Sequence, residues 1–560
     1  MNRRAFTPGT VALLVGLAAF LGLFLVYPAG YILRGALVVD GHWTFDFFRL
    51  ALQSPLIRGA LVNSFLLAVA VTALTTLLAL PLAHVFTRYA FRGKTVLSAL
   101  LLVPMIMPPF VGAIGMRQFL ARYGSVNLLF GTHVDWLGAG GFWGVMLLQT
   151  LNLYPIMFLN LSAAMANVDP TLRESAENLG ASAWRVFRTV TLPLVAPGYF
   201  AGAIIVFVWA FTDLGTPLMF GFNRVVAVQI FDRVTDVGTN PMGYVLVCVV
   251  LVLTVVLFLL SKRLLATRRY EMLARGHTGG AAEKVLTGKA EWLLQAGLVA
   301  FIGVTLLPHL SVVLESLAGK WFFSVLPEAV TGRHYVDVFT HPLTMSGMRN
   351  SLFYSSLSAG VDLVLGVAIA YLVVRKQIPG AQVLDVLAML PLALPGLVLA
   401  FGYLGGFNVN LDWLNPRTNP TVLLVVAYSV RRLPYIVRSA YAGFQQTSVT
   451  LEEASLNLGA SQWRTLRKIT IPLVMANLVA GTILTFSYAM LEVSDSLILA
   501  MREKFYPVTK TIYALVGRIE PNAVSVASAL GVLGMLLLTI SLLVASKTLG
   551  KKLGQLFRAS

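Results

Sequence analysis

The chain has 560 residues, 57% of them hydrophobic and only 12% charged, with a mean hydropathy of +0.79. A soluble domain carries about a quarter charged residues, so a soluble fold is excluded, and the continuous apolar runs also exclude the alternating strands of a β-barrel. The net charge of +18 reads as the Lys and Arg bias of cytoplasmic loops and not as nucleic-acid binding; the single cysteine, Cys248, excludes an intrachain disulfide or a cysteine metal cluster.

The first apolar run, 11–33, follows Arg3 and Arg4. Its length, and the lack of a small-residue cleavage site after it, mark a retained span and not a signal peptide. Further spans are predicted at 61–86, 96–118, 142–166, 195–220, 242–261, 292–316, 350–374, 382–406, 421–445, 474–500 and 523–546, twelve in all. Arg88, Arg92 and Lys94 follow the second span, Arg173, Arg185 and Arg188 the fourth. Lys262, Arg263, Arg268, Arg269 and Arg275 follow the sixth, and Lys547, Lys551 and Lys552 the twelfth. If every run crosses, these loops and both termini share one side, which the positive-inside rule makes the cytoplasm.

The chain repeats itself. "ESAENLGASAWRVFRTVTLPL" (174–194) returns as "EASLNLGASQWRTLRKITIPL" (453–473), with 12 of 21 positions identical and an offset of 279. Earlier in each half the offset is 287: Asn63-Ser64 recurs at Asn350-Ser351, and "PMIMP" (104–108) as "PLALP" (391–395). The first half therefore carries eight more residues between its third and fourth spans. The reading is an all-α polytopic membrane protein of two homologous six-helix halves, 1–261 and 291–560, joined by a basic, glycine-containing cytoplasmic linker at 262–290. The repeated loops fall on one side, so the halves are parallel repeats about a pseudo-twofold along the membrane normal.

Each repeated loop reads as a helix–glycine–helix elbow. Asp169-Pro170 opens the first copy as a cap and first-turn proline, with Ser448 at the matching cap. Gly180 and Gly459 end the first arm. A short second arm follows, with Trp184, Phe187 and Val190 (Trp463, Leu466, Ile469) on one face and Arg185 and Arg188 (Arg464, Arg467) on another; Pro193 and Pro472 are expected to end it before the next span. One such loop could be a solvated connector. Two copies in fixed register point to a docking surface.

At these residues the sequence resembles the EAA loop of permease subunits of binding-protein-dependent ABC importers: Glu174-Ser175-Ala176 with Gly180 and Leu192-Pro193, and Glu453-Ala454-Ser455 with Gly459 and Ile471-Pro472. The likeness covers nearly the whole chain and is greatest to the fused twelve-span permeases of the ferric-iron and thiamine branch. It implies a type I importer permease fold in a bacterial inner membrane, two ABC ATP-binding subunits each receiving one loop, and a periplasmic substrate-binding protein. No GxxxxGK[ST] run occurs: Gly93-Lys94-Thr95 has the tail of one, but Arg88 stands at the required glycine. No catalytic residue and no bound metal are expected in this chain, and ATP and Mg belong to the partner ATPase.

Charged groups inside spans mark candidate path residues. Asp213 and Glu492, 279 apart, end the fifth and eleventh spans, with Asp495 nearby. They read either as caps at the membrane edge or as an acidic constriction suited to a cation. Arg431 and Arg432, whose first-half counterparts are Asn152 and Leu153, would neutralise those carboxylates, snorkel to the surface or bind an anion. Pro104, Pro108, Pro109, Pro391 and Pro395 predict kinks in the third span of each half, near the path or merely in packing. The leading substrate is ferric iron. Thiamine, a polyamine and a phosphonate or phosphate ester are alternatives, as is a secondary transporter, which would have repeats and midplane charges but no need of two EAA loops; an ion channel has no need of them either.

Overall fold

The computed structural model of the chain describes residues 8–138, 140–238, 240–266, 283–392 and 394–549; the expected linker falls largely on 267–282, outside the described residues. Among the described residues, seven helices are long and apolar enough to cross a membrane: Pro8–Leu37, Pro55–Arg88, Phe142–Ala166, Ala183–Thr212, Pro342–Lys376, Gln462–Met490 and Ala523–Ala545. At 1.5 Å per residue they reach about 35–50 Å, more than the ~30 Å hydrocarbon core.

Three other predicted spans are broken. Lys94–Ile106 meets Pro109–Phe130 at 98°, Ala381–Leu392 meets Gly396–Gly406 at 105°, and Lys289–Thr305 meets Leu307–Leu317 at 50°. The first two breaks fall at the repeated prolines: Met107, ahead of Pro108, is extended (ψ 125°), because a residue preceding proline avoids the helical region. The bend at Leu306 lies within the span predicted at 292–316, where Pro308 removes a backbone donor. The two remaining runs are the helices Met242–Ala266 and Thr421–Gln446, the latter carrying Arg431, Arg432 and Arg438.

Two compact units interleave along the chain: Met1–Pro55 with Gln229–Val252 and Arg333–Ser560, and Leu56–Val228 with Leu253–Gly332. In the first unit the N-terminal helix packs on Gly396–Gly406. Tyr403 Oη donates to Phe24 O (2.5 Å), Tyr27 Oη donates to Gly406 O (2.9 Å), and a Cβ on Gly402 would lie 2.9 Å from Pro28 O. In the second unit Tyr154 Oη donates to Leu101 O (2.8 Å), and Gly115 approaches so closely that a Cβ would meet Pro308 O at 2.2 Å.

The Asn-Ser repeat has a structural task in both units. Ser64 Oγ accepts from Val226 N (2.8 Å) and Ser351 Oγ from Val508 N (2.7 Å). Asn63 Nδ2 donates to Arg224 O (3.0 Å), and Asn350 Nδ2 to Lys504 O (2.9 Å) and Tyr506 O (3.0 Å). The second span of each half thereby satisfies backbone groups of the irregular segment that follows that half's helix break, where unmet donors would be costly.

Candidate coupling loops and translocation-path residues

Both elbows form, with the same backbone bonds. The first arms are Pro170–Asn178 and Thr450–Asn457. Asp169 Oδ1 accepts from Thr171 N (2.9 Å) and Oγ1 (2.7 Å), bonds that hold its carboxyl below the usual range. Ser448 Oγ accepts from Thr450 N (3.3 Å), although the residue at the helix cap is Val449. Gly180 (φ +81°) and Gly459 (φ +86°) take the left-handed conformation that only glycine adopts freely. Around them Ala181 N donates to Ala176 O (3.0 Å) and Ala460 N to Ser455 O (3.1 Å), the 6→1 bond of a Schellman ending.

The second arms correct the sequence expectation. Each is continuous with the following span, as Ala183–Thr212 and Gln462–Met490, and Pro193 and Pro472 lie inside these helices. A π-turn makes this possible. Leu192 N donates to Phe187 O and Ile471 N to Leu466 O, a wider i→i+5 register just ahead of each proline, so the missing proline donor falls at the start of the α-helical stretch, where it costs least.

What the elbows expose is apolar and basic. Leu179 and Leu458 are each 89% exposed, and Trp184 and Trp463 are exposed beside Arg185, Arg188, Arg464 and Arg467. Glu174, Ser175 and Glu453 are exposed as well, and neither glutamate forms an ion pair among the described residues. The serine of the second copy is bonded: Ser455 Oγ lies 2.9 Å from Thr465 Oγ1, joining the two arms, where the first copy has the apolar Ala176 and Val186.

Each elbow is tied to the end of the second span of its half by arginines that are repeat partners, Arg88 and Arg375. Arg88 Nη2 lies 3.5 Å from Glu177 Oε1 in a partly exposed pair. Arg375 Nε lies 2.8 Å from Glu452 Oε1 with side chains 6% and 13% exposed, Nη2 donates to Thr447 O (2.9 Å), and the guanidinium sits 5.7 Å from the Phe444 ring centroid. Surface pairs contribute about 0–1 kcal/mol, whereas removing one partner of a buried pair costs about 3–5 kcal/mol. Arg375→Met is therefore expected to destabilise the chain by about 3 kcal/mol and Arg88→Met by less than about 1 kcal/mol. Thermal unfolding of the two purified variants in one detergent checks the order; equal losses would show that the second elbow is not the tighter one.

The candidate path carboxylates lie just beyond the long helices, which end at Thr212 and Met490, short of the predicted ends at 220 and 500. A short helix follows each break: Gly215–Phe220 and Ser494–Leu499. Asp213 Oδ1 accepts from Gly215 N (3.0 Å) and Thr216 N (3.5 Å), and Oδ2 from Gln149 Nε2 (3.0 Å). This polar bonding stops the long helix and starts the short one.

Glu492 is surrounded differently. Oε1 accepts from Arg431 Nη1 (2.6 Å) and from Asp495 N (3.4 Å), while Oε2 accepts from Arg432 Nη2. Arg431 Nη1 also lies 3.5 Å from the fully buried Asp495 Oδ2. Of the three readings open for the arginines, the geometry shows neutralisation: two guanidiniums and two carboxylates form one cluster. Gly396 makes room for it, since a Cβ there would stand 1.7 Å from Arg431 Nη1. Arg432 also lies 5.9 Å from the Tyr488 ring centroid, and Tyr488 stacks on Tyr435 (4.9 Å, 18°). Among the described residues no three His, Cys, Asp or Glu side chains are gathered as metal ligands. Sequence reasoning missed Gln149, Arg375 and the buried Asp362; an aspartate inside an apolar run was the available signal for the last.

The chain belongs to the family described as binding-protein-dependent transport system inner membrane component, whose model matches twice, at residues 75–270 and 362–555. It is similar to the putative ferric transport system permease protein FbpB 1 of Haemophilus influenzae, 28% identical over 86% of this chain and 77% of that one. The ferric transport system permease protein FbpB of Actinobacillus pleuropneumoniae is 26% identical over 93% of this chain and 75% of its own length. The molybdenum transport system permease protein ModB of Escherichia coli is 28% identical over 38% of this chain and 96% of its own. The chain is thus a fused permease of the ABC importer class and a multi-pass inner-membrane protein.

Proposed function

We propose that the chain is the membrane pathway of an ATP-driven importer that receives ferric iron from a periplasmic binding protein and releases it to the cytoplasm. The observation that carries this is the doubled elbow, with Leu179, Trp184, Leu458 and Trp463 exposed where a soluble partner would cover them. Two copies match two ATP-binding subunits, which hold the ATP and Mg. Glu174, Gly180, Arg185 and Arg188, with Glu453, Gly459, Arg464 and Arg467, form the contacts through which ATPase closure moves each half. Both termini and both elbows are cytoplasmic on this reading, as the loop arginines require. Iron is favoured by two relatives that match most of the chain.

A second reading has its own support. Glu492 is already saturated by Arg431 and Arg432, so this break presents guanidiniums at least as much as carboxylate, an arrangement suited to an oxyanion or to a metal travelling with one. The experiment is co-purification followed by uptake in proteoliposomes with each candidate binding protein. One permease chain to two ATPase chains, and ATP-dependent entry of ferric iron, are expected. Uptake that continues without the ATPase would sink the importer reading, and ATP-driven uptake of an oxyanion alone would replace iron as substrate.

A further inference from the structure

Asp362 lies within Pro342–Lys376, an otherwise apolar span, and is fully buried. Its Oδ1 accepts from Ser429 Oγ at 2.5 Å. Its Oδ2 is buried without a hydrogen-bond partner, and among the described residues no cation stands within ion-pair distance. A carboxylate so placed is costly unless a partner reaches it in some state of the protein.

The neighbouring helix carries the complement. Arg432 lies three residues beyond Ser429 on Thr421–Gln446, and so on the same face. Arg432 holds Glu492 through Nη2, while its Nε is buried with no hydrogen-bond partner. An unused acceptor and an unused donor thus occupy one neighbourhood, supplied by two packed helices. A guanidinium has five donors in a rigid fork and can turn from one carboxylate to another without leaving both unpaired.

We propose that Asp362 is a second seat for Arg432: the guanidinium alternates between Glu492 and Asp362, and its move to Asp362 opens one Glu492 oxygen to a passing cation. The opening to a cation rests on the import function proposed above; the exchange of partners does not. Arg431 stays on Glu492 and Asp495 throughout, so one buried pair is broken as another forms and the two seats are nearly balanced. The device belongs to one half. The first-half counterparts of Asp362 and Arg432 are Thr75 and Leu153, and Asp213 there is held by Gln149 instead of an arginine.

A double-mutant cycle on the full chain in detergent tests the exchange without needing a substrate. Asp362→Asn keeps the bond to Ser429 and is expected to shift the thermal midpoint by less than about 2 °C alone, but by at least about 5 °C in a Glu492→Gln background, where Asp362 is the carboxylate left for Arg432. Equal shifts in the two backgrounds overturn the proposal, because a merely structural Asp362 gives additive effects. If the double variant does not fold, Glu492→Gln with Asp362→Glu decides: folding and melting like Glu492→Gln alone supports the second seat, and failure of both double variants overturns it.

Discussion

A double Gly180→Leu, Gly459→Leu variant is expected to lose roughly a hundredfold in ATP-driven uptake while its membrane helices remain folded. Both glycines sit at φ above +80°, and a Cβ at either would meet nothing within 4 Å, so the damage is conformational and not a clash. An L-residue in the left-handed region costs about 1–2 kcal/mol, close to tenfold in the population of a correctly bent elbow at each site. Uptake and ATP hydrolysis measured on the same reconstituted complex separate coupling from folding. Native uptake by the double variant would end the docking assignment for both loops.

Glu492→Gln is the second large effect. Glu492 is 3% exposed and accepts from both Arg431 and Arg432, whose side chains are 19% and 12% exposed. Removing the charge leaves two largely covered guanidiniums short of a partner, a defect that costs about 3–5 kcal/mol in buried pairs. The low end, about 3 kcal/mol, is expected because Asp495 still lies beside Arg431 and Asp362 is left for Arg432. Asp213→Asn, by contrast, keeps an oxygen that can cap Gly215 N, and should cost less than half as much. Thermal midpoints of the two purified variants make the comparison, and a Glu492→Gln protein as stable as native would mean that Glu492 is not the partner on which the arginines depend.

The parts of this fold legible in the sequence are those set by short-range chemistry repeated in register. Gly180 and Gly459 announce their left-handed turns. The doubled Asn-Ser announces a task common to both halves, and that task is the hold of Ser64 and Ser351 on one backbone N–H each. The illegible parts depend on what a residue meets in space. Pro193 and Pro472 look like helix ends, yet a π-turn carries the helix through them, because the widened register needs no donor at that point. The sequence leaves Arg431 and Arg432, some 60 residues before Glu492, three possible roles, and only their placement in space shows that they occupy that carboxylate. Asp213, its repeat partner, shares the position but not the partners, which no comparison of the two halves by offset could reveal.

The unbroken course from elbow to carboxylate has a geometric corollary. Ala183–Thr212 contains 30 residues, and at 1.5 Å each it is a rod of about 45 Å. Pivoted at its elbow end by about 5°, such a rod sweeps its far tip sideways by about 4 Å. That is more than the width of a water molecule, and the tip is where Asp213 breaks the helix and Gly215–Phe220 begins. A shift at the elbow too small to disturb its own hydrogen bonds would, at the far end of the helix, be large enough to open or shut a passage.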